Sequence, residues 1–120
     1  MPSSSSSRRG GTMEAPPILE LVEKRLQALL REVEKRERMI ADLTGKLEQQ
    51  FLTVQSLMDK MRALGHVPAE LRDRVREVYS TIFALANEVD EIREELAANK
   101  EMIQRVLALI ELLKERGARR

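Results

Sequence analysis

The chain has 120 residues, of which 34% are charged and 2% aromatic, with no cysteine, no tryptophan and a net charge of +1. This composition excludes a disulfide-stapled fold and a wide aromatic core, and it gives no global electrostatic pull toward nucleic acid or anionic membrane. Setting aside Arg8, Arg9 and Glu14 leaves acids and bases in balance, and no run approaches the ~18 apolar residues of a membrane span.

Residues 1–16 carry a serine run from Ser3 to Ser7 followed by Arg8-Arg9-Gly10-Gly11. Nothing there can bury apolar area, so a disordered tail is expected. Met13 offers a second candidate start, and the arginines lack the apolar run of a secretory signal. Pro16-Pro17 opens a first helix, because proline lacks only an N–H that the first turn leaves unpaired anyway. Helical periodicity then continues over 17–64. Gly65-His66-Val67-Pro68 reads as a turn, with Gly65 as the left-handed cap. A second helix is expected over 69–116, with Gly117 as its stop and 117–120 as a short tail.

Apolar residues recur in heptads on both helices. In the first, Leu19, Leu26, Val33, Ile40, Leu47, Val54 and Met61 take position a, and Val22, Leu29, Arg36, Leu43, Gln50, Leu57 and Leu64 take d. In the second, d is Leu71, Val78, Leu85, Ile92, Asn99, Val106 and Leu113, and a is Val75, Ile82, Val89, Leu96, Ile103 and Ile110. A sustained 3.5-residue repeat marks a coiled-coil seam. Equal helices around a short turn must pack antiparallel, and one register serves the whole length. Met61 lies opposite Leu71, Leu47 opposite Leu85, and Leu29 opposite Ile103. The expected fold is therefore all-α, an antiparallel two-helix coiled-coil hairpin, with dimerisation into a four-helix bundle as one way to cover its surplus apolar surface.

The flanking positions suggest cross-seam pairs of Glu37 with Arg93, Lys46 with Glu88, and Phe51 with Tyr79, with Lys60 near Arg74 as a like-charge exception. Arg36 and Asn99 occupy neighbouring layers of the seam and are read as a polar layer that sets register. Arg36 is expected either to reach solvent or to bond Asn99. Gln50, opposite Ile82, reads as a local weak point. Gly45 falls on an outer f position, where a break and fold-back of the helix would be conceivable but tolerance is the simpler reading.

A two-helix seam uses only a and d, yet Ile18, Leu21, Leu30, Met39, Leu52, Met58 and Leu112 stand outside it. Candidate partner-binding residues are Phe51 and Phe83 toward the turn, and Met102, Val106, Leu107, Leu109 and Ile110 on the second helix, which is apolar on nearly every face from Met102 to Leu113. Glu88, Asp90, Glu91, Glu94 and Glu95 form an acidic stretch, read as a solvated face or a dock for a basic partner.

Catalytic chemistry has no candidate residues. One histidine and no cysteine cannot build a structural zinc site, and no phosphate-cradling loop or nucleophile motif occurs. No metal, cofactor or small-molecule substrate is expected. Arg72, Arg74 and Arg76 are interrupted by acids and lack aromatic platforms, so nucleic-acid binding is not expected.

The stretch from Ala86-Asn87-Glu88 through Asn99-Lys100-Glu101-Met102-Ile103 resembles the final helix of the flagellar hook-associated-protein export chaperones. That resemblance implies a client clasped by Met102, Val106, Leu107, Leu109 and Ile110, with methionine suited to adaptable contacts. Two functions are thus expected: a cytoplasmic coiled-coil scaffold or adaptor that binds itself or another protein, and, as the alternative, a small export or assembly chaperone.

Overall fold

The computed structural model describes residues 17–118. The tail assigned to 1–16 lies outside the described residues, as do 119 and 120. Two helices, α1 (Ile18–Leu64) and α2 (Ala69–Ala118), form an antiparallel all-α hairpin.

Both helices start the same way. The carbonyl of Pro17 accepts a hydrogen bond from the Leu21 N–H at 3.2 Å, and the carbonyl of Pro68 accepts one from Arg72 at 3.0 Å. Each proline therefore precedes the first helical residue and contributes the acceptor that a helix start requires, while its missing N–H is not needed there. Glu20 and Glu70 follow in the first turns, where the positive end of the helix favours an acid. At the other end of α1, Gly65 has φ 75° and donates its N–H to the carbonyls of Met61 and Arg62 at 2.9 and 3.2 Å. This is the left-handed cap expected of that glycine. His66 is an exposed turn residue whose Nδ1 lies 3.1 Å from the Leu64 carbonyl oxygen.

Two expectations about the helices need correction. First, α2 does not stop before Gly117 but passes through it to Ala118. Gly117 has no positive φ, so it continues the helix instead of capping it. Second, α1 is continuous through Gly45, which removes the fold-back option. A β-carbon built on Gly45 would meet nothing within 4 Å.

Within the described residues, 18–30 with 101–118 make one compact unit, and 31–100 make another. In the first, Leu29 is 1% exposed, and Ile103, Val106 and Ile110 are buried. In the second, Val54, Leu57, Val78 and Ile82 form a cluster joined by Leu71 and Val75, while Leu43, Val89 and Ile92 form another joined by Ile40 and Leu85. Leu47 packs against both clusters. Every one of these side chains occupies an a or d position, so the heptad register alone separates core from surface. Burying each contributes roughly 1.5–3 kcal/mol, which offsets the entropy of ordering its helix segment.

Gly45→Ala should stabilise the protein by about 1 kcal/mol, because the helical backbone there accepts a β-carbon and space is open. Gly65→Ala should destabilise it by about 1 kcal/mol, because its φ is unfavourable for an L side chain. Thermal unfolding followed by circular dichroism checks both, and opposite signs for the two alanines are the expected result.

Candidate functional site

The polar layer lies in the 31–100 unit and is built from four side chains, two of which sequence reading did not include. The Arg36 guanidinium contacts Glu95 of the facing helix (Nε to Oε1, 3.3 Å) and Glu32 one turn back on its own helix (Nη1 to Oε1, 3.5 Å). The Asn99 amide donates through Nδ2 to Glu32 Oε1 at 3.2 Å. Arg36 thus neither bonds Asn99 directly nor simply reaches solvent: Glu32 links the two.

The arrangement repeats itself across the seam. Arg36 and Asn99 are both d residues, and each is preceded four positions earlier by a g-position glutamate, Glu32 or Glu95. Each d side chain reaches the g glutamate of the opposite helix. The spacing places a donor beside an acceptor because residues four apart share a helix face, and the g positions flank the seam on one side. Symmetry fails at one atom. Asn99 Oδ1 is buried and lacks a hydrogen-bond partner among the described residues. An arginine in its place would present only donors, whereas asparagine brings an acceptor into a layer whose other acceptors are carboxylates.

The other flanking pairs settle differently from the sequence expectation. Glu37 pairs with Lys100 at 3.9 Å and not with Arg93, because its e position lies between two e positions of α2. Lys46 takes Asp42, four residues earlier at 3.5 Å, in place of Glu88. The shorter reach along one helix wins over the span across the seam. Arg72 and Arg74 have acidic neighbours in Asp73 and Glu77, at 3.8 and 3.7 Å.

The proposed partner-binding residues divide into two kinds. Val106 and Ile110 are buried in the seam, so they hold the hairpin together and are not presented to a partner. Met102, Leu107 and Leu109 are exposed, as is Leu112. In the 31–100 unit, Phe51 is 52% exposed, Tyr79 42% and Phe83 68%. Those three are all the aromatic side chains of the chain. Leu52 and Met58 are exposed beside them. Grooves on the opposite, g-position flank are lined mainly by polar side chains such as Gln50, Thr53, Arg74 and Thr81, with Lys60 near Arg74. Thr53 and Thr81 already donate their hydroxyls to the carbonyls of Gln49 and Glu77.

Among the described residues no cluster of acids or histidine could hold a metal ion, and no helix is long and apolar enough to cross a membrane. Comparison with protein-family models, curated proteins and solved structures finds no match to this chain.

Asn99→Leu should raise the unfolding midpoint, because it removes a buried acceptor without a partner, and should loosen register or change the oligomer. Lower stability with unchanged solution mass would contradict this. Glu32→Ala should cost about 1 kcal/mol, since it removes the acceptor of the Asn99 amide and leaves Arg36 with Glu95 alone, whereas Glu20→Ala, which breaks only an exposed pair with Lys24, should fall within about 0.5 kcal/mol of zero. Denaturant titration of both variants gives the comparison.

Proposed function

We propose that this chain is a non-enzymatic coiled-coil interaction module, a scaffold or adaptor subunit that works by packing against other protein surfaces. The carrying observation is that the seam is already complete, yet large apolar side chains stand exposed beside it, among them every aromatic residue of the chain. Large apolar side chains left exposed in number on a charged helical protein favour another protein surface that covers them. Aromatic and methionine side chains are the types enriched where proteins meet.

A second reading, a small export or assembly chaperone, draws on Met102, Leu107 and Leu109, which are exposed on one stretch of α2. A client laid on the g flank would meet Met102 and Leu109, and one that wraps to the e flank would also reach Leu107. Val106 and Ile110 would act from beneath by keeping the helix in the hairpin. Truncation after Ala98 would be a poor test, because it removes Ile103, Val106 and Ile110 from the seam along with the surface.

A photo-crosslinking amino acid at Leu109 or at Phe83, introduced in the source cells, tests both readings. A discrete product with a different protein is expected. The Leu109 product should fade when Met102 is replaced by Glu, with helicity unchanged. A stable assembly component as the crosslinked species favours the adaptor, and an exported protein favours the chaperone. Absence of any product with a different protein from either position would overturn the proposal.

A further inference from the structure

We propose that the e-position flank of the 31–100 unit is a docking surface for a second copy of the same chain, with the two turns at the same end and α1 of each copy lying over α2 of the other. This rests on the interaction-module reading and names the surface and one occupant.

An antiparallel hairpin has two flanks, one bordered by the e positions of both helices and one by the g positions. The exposed aromatics are concentrated on the first. Phe51 and Met58 are e residues of α1, Tyr79 is an e residue of α2, and Phe83 occupies the adjoining b position. Apolar residues at a, d and e together make the wider stripe of a four-helix bundle, whereas a and d alone make a two-helix seam. Sharing two such stripes would bury roughly 300–400 Å² of aromatic and methionine surface per copy, about half of one partner's share in a standard interface. The alkyl stems along the flank supply further area.

Charge selects the occupant and its direction. The e positions of α1 carry Glu37 as their only charge in this unit, whereas those of α2 carry Arg93, Lys100 and Arg72. A twofold axis parallel to the hairpin places α1 of one copy over α2 of the other. Glu37 then meets the basic pair Arg93 and Lys100, Thr44 meets Ala86, and Phe51 meets Tyr79. No like charges are opposed at any e layer. Reversing one copy places α1 over α1 and α2 over α2. The acid then keeps the Lys100 of its own chain but gains no base from the other copy, and no single shift serves both the aromatic and the charged layers. On the g flank the same overlap offers no aromatic layer and sets Lys60 over Arg74 near the turn, with Lys46 over Glu88 its one opposite-charge pair. An isologous contact of this kind closes as a dimer and leaves no open end for further growth.

The experiment uses the full chain with one cysteine, Val67→Cys, which is unique because the sequence contains none. Val67 is exposed at the turn. Light scattering over a concentration series gives the mass, and spin labels on the cysteine give the distance between turns. Twice the chain mass of 13.8 kDa, with labels within about 25 Å, is expected from helices packed 8–10 Å apart. Phe51→Glu or Tyr79→Glu should raise the dimer Kd at least about tenfold with helicity retained, while Met39→Glu, on the g flank, should leave the dimer intact. A monomer at every concentration would overturn the proposal. So would a dimer with turns more than about 35 Å apart, as reversed overlap at the aromatic layers requires at 1.5 Å per residue, or one insensitive to Phe51→Glu and Tyr79→Glu. A monomer that still crosslinks to a different protein through Phe83 would sink this inference alone and leave the interaction-module reading standing.

Discussion

Two helices in contact have one interface to share, and a heptad pattern decides what enters it. Each turn contributes an a or a d residue, so a side chain shifted by one position leaves the core altogether. That constraint explains why the buried residues are aliphatic and why the aromatics are not among them. A seam between two helices is narrow, and Leu, Ile and Val fill it, whereas a phenyl ring would force the helices apart. Exclusion of Phe51, Tyr79 and Phe83 from the seam is therefore geometric. Their presence on a single flank does not follow from that geometry.

The polar layer shows the other side of the constraint. A charged residue at d must satisfy itself without leaving its helix face, and the only groups within reach are g residues across the seam and residues one turn away. Glu32 and Glu95 meet both conditions at once, which is why one pair of glutamates serves both helices. The layer carries two carboxylates against one guanidinium, and the unmatched acceptor of Asn99 is the residue of that imbalance.

Much of this was legible in the sequence because periodicity is a one-dimensional signal. The helices, the cap at Gly65 and the burial of Leu29, Val54 or Ile82 all follow from spacing. So did the choice of Arg36 and Asn99 as the unusual seam residues. Their glutamate partners were missed because the pairing was sought between the d residues themselves, although the four-residue offset from Glu32 to Arg36 was available as a clue. Val106 and Ile110 carry d and a positions in the heptad, yet the all-round apolar stretch around them also suggests a partner surface; their burial follows the heptad and not the local composition. Flanking ion pairs were the least readable feature. A long side chain at e or g has several partners at similar distance, and which one it takes depends on rotamers that spacing does not encode.

The glycine cap also orders events in time. Seam contacts beside Gly65 close loops of a few residues, and each heptad farther from the turn closes a longer one, with an entropic cost that rises only as the logarithm of length. That cost favours zippering of the 31–100 unit from the turn, with Leu57 and Val75 meeting before Leu43 and Val89. Substitutions near Gly65 act chiefly on the folding rate, and those remote from it on the unfolding rate, a gradient that φ-values along α1 would display. A turn closed by one left-handed residue thus sets which layers have the shortest loops to close, while most of the buried area lies in the aliphatic layers of the seam.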